Sequence, residues 1–197
     1  MDYPLPDRLA ARLPDVRAAH RALGLTEDES RATLADVFRA HKVRREEPFS
    51  DHEWIEVIWS GRLAELGRLQ FEDRGDGVVA VHIPETGVPL DPATCDASFA
   101  RAREVWPDHH TAACHSWLLD PQLAEVLPPD ANIARFQQRF ALRDGEENGN
   151  ADVLRFVFHT ADTDLDKLTP RTMLERALVA RMRAGGRWHV RTGVTSL

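Results

Sequence analysis

Two short stretches of this sequence gather side chains able to move protons or attack carbon. Val78-Val-Ala-Val-His-Ile-Pro84 reads as a central strand, apolar on both faces, with His82 as its one polar interruption. An imidazole kept neutral by burial at that position accepts a proton; the plainer reading is a core histidine bonded to backbone. Glu85, just past the strand, is a second base or an amine-binding carboxylate, unless it is a solvated loop charge. The other stretch is Thr-Ala-Ala-Cys-His-Ser-Trp-Leu-Leu-Asp-Pro-Gln-Leu (111–123), nearly uncharged, a buried strand feeding a helix at Asp120-Pro121. It carries Cys114, His115 and Ser116. Neighbouring strand residues alternate faces, so His115 points away from Cys114 and Ser116. Cys114 becomes a nucleophile if a histidine from the next strand stabilises its thiolate, and is otherwise a buried inert thiol. Ser116 can donate a proton or bind substrate, or simply bond backbone, and Asp120 is better explained as a cap than as an acid.

His109-His110 lies close to Cys114 and His115, but adjacent loop histidines lack the paired spacing of zinc motifs, so no metal is expected. The 197 residues suit one large domain with a real core. With 25 basic against 32 acidic side chains the net charge is −7, which argues against nucleic acid as a partner. Cys95 and Cys114 show no framework spacing and read as free thiols in a reducing cytoplasm. Met1–Pro6 lacks the basic and apolar regions of a signal peptide, and no apolar run has membrane-spanning length; a cytoplasmic protein without membrane contact is expected.

The elements that must position these residues follow from periodicity and punctuation. Residues 14–24 suggest a helix ended by Gly24, and Thr26–Glu29 fits a capping box opening a helix over 27–42. Ser50-Asp-His-Glu53 opens another, with Ile55, Ile58, Trp59 and Leu66 on one stripe; Trp54 and Trp59 line a groove or, more ordinarily, pack in the core. After Gly67 the period changes to alternation: Leu69 and Phe71 on one face of a half-buried strand, an Asp76-Gly77 hairpin turn, then the His82 strand. Asp91-Pro92 starts a helix to about Trp106, and residues 121–127 form another. Residues 132–142 run from a helical turn into a strand, and Val153–Phe158 reads as its hairpin partner. A final helix capped at Thr169-Pro170 ends at Gly185-Gly186, and Arg187–Val194 adds an edge strand. The pattern is α/β, an α+β mixed sheet, with an N-terminal helical part (1–65) packed on the sheet domain (66–197).

In that order, Leu-Gly-Arg-Leu-Gln-Phe-Glu (66–72), Val-His-Ile-Pro-Glu (81–85), Cys-His-Ser-Trp-Leu-Leu-Asp-Pro (114–121) and Leu-Pro-Pro-Asp-Ala-Asn-Ile (127–133) resemble the GNAT-like C-terminal domain of bacterial acyltransferase-domain proteins. The resemblance covers roughly 60–160. It implies a GNAT fold and transfer of an acyl group from a thioester donor, acyl-CoA or a carrier-protein phosphopantetheine, to the amine of a small-molecule acceptor. The base would be His82 or His115, with Glu85 as a second candidate and Ser116 or Cys114 assisting. The superfamily often uses a tyrosine acid, but the sole tyrosine, Tyr3, lies outside the matching region. The matching donor loop is Glu85–Pro92, with Thr86, Gly87 and Val88 at the donor. It departs from the usual Arg/Gln-x-x-Gly-x-Gly/Ala pattern, having one glycine, two prolines (Pro89 and Pro92) that offer no N–H, and Asp91 where an anion should reach the helix end. Arg181, Arg183, Arg187 and Arg191 form the densest basic stretch, suited to an acidic carrier protein or to solvated faces. The alternative is a non-catalytic GNAT-like binding module that has lost this loop.

Overall fold

Tight glycine turns and side-chain alternation set the middle of the chain into an antiparallel ribbon. In the computed structural model, which describes residues 5–44 and 52–197, β1 (Leu63–Leu66), β2 (Leu69–Asp73) and β3 (Val78–His82) pair in succession. Gly67, at φ +74, makes the first turn, where a side chain would be strained. β3 then lies parallel to β4 (Thr111–Ser116), an arrangement no hairpin can make, so the chain crosses over through helix α4 (Pro92–Val105). β7 (His189–Ser196) returns antiparallel on the far side of β4 and carries the short strands β5 (Ala141–Leu142) and β6 (Glu147–Asn148).

The register sorts the two faces. Phe71, Val81 and Cys114 stand side by side, and with Leu69, Val79 and Ala112 they form the face on which α4 lays Cys95, Phe99 and Ala102. The rings of Phe71 and Phe99 meet edge-on, centroids 5.4 Å apart, an arrangement worth about 0.5–1.5 kcal/mol beyond the area buried. The opposite face carries Glu65, Gln70, Glu72, Ala80 and His82, since Glu65 pairs with Gln70 and Gln70 with His82. Helices α2 (Glu27–Arg44) and α3 (His52–Trp59) contribute the polar groups that meet it, and α1 (Asp7–Ala22) joins them around Leu9, Val37, Ile58 and Leu63. The short helix α5 (Asn132–Gln137) leads into β5, and a separate cluster packs α6 (Asn150–Val157) and α7 (Met173–Arg183) around Trp188, with Arg181 stacked on that ring at 4.9 Å.

Several expectations hold in detail. The Thr26 capping box is reciprocal, Thr26 N–H donating to Glu29 and Glu29 N–H to Thr26 Oγ1, and α4 starts at Asp91-Pro92. Others are corrected. β2 is buried on both faces, because the N-terminal helices shelter Gln70 and Glu72. The helix expected to reach Leu66 stops at Trp59; Gly61 takes φ +73 and the chain enters β1. Residues 153–158 form no strand: 153–157 belong to α6 and Phe158 caps it, Val153 and Leu154 pack with α7 and Trp188, and a short apolar run has no period that separates the two states. The last strand is interior, lying between β4 and β5, not at an edge. Residues 121–125 are a 3-10 turn capped by Asp120, the first helix already begins at Asp7, and the final one is capped by Thr172 with Glu175, not by Thr169. Tyr3 and the Ser50 cap lie outside the described residues.

β7 can lie flat beneath the chain after β4 only because Gly193 lacks a side chain: a Cβ there would sit 2.7 Å from Phe140 Cβ and 3.0 Å from Leu119 Cδ1. Gly193→Ala should therefore lower stability by about 1–3 kcal/mol through overpacking, read as an earlier urea midpoint; an unchanged midpoint would contradict this packing.

Candidate active site

The shared ladder of β3 and β4 stops at Val81 and Cys114. Beyond it each strand follows its outer neighbour, His82 pairing with Gln70 of β2 while His115 and Ser116 pair with Thr192 and Arg191 of β7. Local hydrogen bonds set the path of the chain after each strand. Ser116 Oγ accepts the N–H of Leu118 at 3.1 Å and turns the chain into a 3-10 turn. On the other side Arg68, at the turn between β1 and β2, donates from Nη1 to the Pro84 carbonyl and from Nε to that of Pro89, each at 3.2 Å. The end of the β3–β4 ladder is thus a break in the pairing of the sheet, an opening between the two strand ends.

His82 and His115 stand on the same face at the two sides of this opening, and Cys114 is on the other, as alternation requires. His82 is one quarter exposed, and its Nε2 lies 3.0 Å from Glu72 Oε2, a carboxylate that Arg74 Nε also approaches at 3.2 Å. Burial works to raise the Glu72 pKa, but the hydrogen bond and charge of His82, with Arg74 and Arg62, outweigh it and hold the carboxyl below its ordinary value. An ionised Glu72 only accepts, so the proton of that hydrogen bond belongs to His82 Nε2, and in the neutral form of the ring the lone pair is on Nδ1. On the far side of the ring, Trp54 meets it edge-on at 4.9 Å.

The other sequence candidates fall in different settings. His115 is exposed, with Nδ1 2.9 Å from Thr192 Oγ1 and Nε2 3.8 Å from Glu147. Cys114 is fully buried beneath α4, where burial pushes its thiol up to about 12. Ser116 spends its oxygen on the turn, and Asp120 is a buried cap that also takes the N–H of His189 at 2.7 Å. Both carboxylate oxygens of Glu85 are shielded from solvent, so it is not the exposed loop charge of the plainer reading. His109 is drawn to Asp73 at 3.1 Å. In the loop, Thr86 N–H donates to Pro84 and Val88 N–H to Thr86 Oγ1, so two amides that would meet a donor are engaged internally; Gly87 takes φ +72 between them. Asp91 accepts from Ala93 and Thr94 at 3.0 and 3.1 Å and closes the start of α4 to an external anion. Glu72 carries no motif of its own; its signal is the register of the hairpin turned at 74–77, which puts it diagonally beside His82.

The family model for the GNAT-like C-terminal domain matches residues 63–195, and the chain belongs to that family. Among solved structures it is similar to a mutant acyltransferase in complex with octanoyl-CoA (33% identity, TM-score 0.84) and to an acyltransferase in complex with decanoyl-CoA (33%, 0.84). It is also similar to an acyltransferase in complex with decanoyl-CoA and teicoplanin (34% identity, TM-score 0.82). In each case the match covers 96% of this chain and 64% of the other, so the chain spans under two thirds of those proteins. No curated protein sequence matches it.

With its thiol pushed up to about 12, Cys114 exposes roughly one thiolate in ten thousand at pH 8, before any steric protection. Iodoacetamide at pH 8 should leave Cys114 unmodified in the folded protein and alkylate it in denaturant, as read by mass spectrometry. Rapid labelling of the native chain would restore it as a nucleophile.

Proposed function

We propose that this chain forms the sheet part of an N-acyltransferase that moves an acyl group from acyl-CoA to the amine of a small-molecule acceptor. The observation that carries the reading is the opening past Val81 and Cys114 with the His82 and Glu72 pair at its rim. The neighbours in complex with octanoyl-CoA and decanoyl-CoA support this donor, and those with teicoplanin support a small-molecule acceptor. The pantetheine arm lies along the strand ends at the opening, whose amides also donate to the thioester oxygen as charge builds on it. His82 Nδ1 takes the proton of the attacking amine, the new C–N bond forms, the C–S bond breaks, and the thiolate leaves to be protonated. Glu72 holds the ring in the required tautomer and balances the imidazolium that forms. His115, exposed on the same face, is an acceptor contact, whereas the shielded Glu85, the turn-forming Ser116 and the buried Cys114 take no part in the chemistry.

A carrier-protein-bound acyl-phosphopantetheine is a second donor, and one observation favours it: Asp91 occupies the helix end that would receive the CoA pyrophosphate, which an acyl-phosphopantetheine lacks. The same observation favours a binding module without catalysis. Incubation with acyl-CoA, acyl-phosphopantetheine and an amine acceptor, followed by mass spectrometry, separates the three readings. Transfer from neither donor, with no thermal shift from either, would leave the binding module.

His82→Ala should lower kcat by about 10²–10⁴-fold while the Kd for acyl-CoA, measured by calorimetry, changes little; Glu72→Gln should cost less, because only the orientation and charge balance of the ring are lost. Undiminished turnover in His82→Ala would remove this mechanism.

A further inference from the structure

We propose that Asp36 and Trp54, both supplied by the N-terminal helices, are positioning residues that fix the imidazole of His82. The proposal rests on the reading of His82 as the base. A single hydrogen bond from Nε2 to Glu72 sets one edge of the ring and leaves it free to swing about that bond. The indole of Trp54 removes this freedom: its ring meets that of His82 with centroids 4.9 Å apart at 64°. The indole is itself held, since its Nε1–H donates to Asp36 Oδ2 at 2.8 Å. Asp36 is 4% exposed and cannot drift, because its other oxygen accepts from Arg39 Nε at 2.9 Å.

The chain of contacts closes on itself. Arg39 is ion-paired with Glu65 of β1, Glu65 accepts from Gln70 Nε2 at 3.1 Å, and Gln70 is the register partner of His82. A path therefore runs from His82 through Trp54 and Asp36 in the helices, back through Arg39 and Glu65, and returns to the strand beside His82. Thr33 ties the same helix to β1 by accepting the N–H of Glu65 at 2.8 Å. A tryptophan serving only as filler needs an apolar pocket; this one is half-buried and spends its N–H on a buried carboxylate that an ion pair already anchors. The cost of desolvating Asp36, Arg39 and Glu65 together is hard to justify by packing alone, since apolar residues fill such space at least as well.

The test uses the full chain with Trp54→Leu, which loses the ring, Trp54→Phe, which keeps a ring and loses the N–H, and Asp36→Ala. Long-range proton–nitrogen spectra of His82 report its tautomer. They should show one sharp Nε2–H form in the parent, and the same tautomer with exchange-broadened ring signals in Trp54→Leu and Asp36→Ala, where the ring swings about its bond to Glu72. Turnover should fall about tenfold in Trp54→Leu and about threefold in Trp54→Phe, with KM for acyl-CoA changed less than about twofold, because geometry at the base is lost and donor contacts are not. An unchanged His82 spectrum in folded Trp54→Leu or Asp36→Ala would overturn the proposal. If those variants fail to fold, Trp54→Phe decides, and parental spectra with parental kcat overturn it. If the parent transfers no acyl group, the proposed function falls, while the spectra still decide whether Trp54 and Asp36 set the ring.

Discussion

A parallel strand pair at the centre of an otherwise antiparallel sheet is the constraint from which the rest follows. Parallel strands require a crossover, and α4 supplies it on one face only. That face becomes the apolar core around Phe71, Phe99 and Cys114. The other is left for the helices that precede the sheet, and it is the face on which His82 and His115 stand. β4 must also satisfy two partners, β3 and β7, and past Cys114 it keeps only the second. Ser116 and Arg68 act on opposite sides of that parting, one turning the chain after β4 and the other restraining the loop after β3.

The contrast between the faces has an energetic meaning. Beneath α4 the groups are interchangeable in kind, and stability scales with area and fit. Under α2 and α3, Glu65 and Glu72 are nearly sealed from water together with Gln70. Burial raises the Glu65 pKa despite Arg39 and Gln70, whereas for Glu72 the neighbouring cations prevail. Two carboxylates on one sheet face are thus tuned in opposite directions. Only the one beside His82 is held firmly ionised, which is the state that fixes the imidazole tautomer.

Much of this was legible in residue order. The capping box at Thr26, the start at Asp91-Pro92, the central place of Val78–His82 and the opposed directions of Cys114 and His115 are local or periodic facts, and the structure keeps each of them. The features that escaped are long-range. The interior place of the last strand depends on pairing with a strand almost eighty positions earlier, and α6 became a helix because Trp188 and α7 needed one apolar side. At the site, His82 carries its own signal as a polar break in an apolar strand, whereas Glu72 acquires meaning only from register, and Asp36 only from tertiary contact with Trp54. Conversely, Cys114 looked chemically promising and sits where burial silences it.

The carboxylate of Asp91 at the head of α4 has a wider consequence. It spends the positive end of that helix inside the protein, so the charged nucleotide half of a coenzyme gains little attraction there. Any affinity for an acyl thioester would then have to come from its uncharged parts. Recognition of that kind strengthens with each methylene buried and is nearly indifferent to ionic strength.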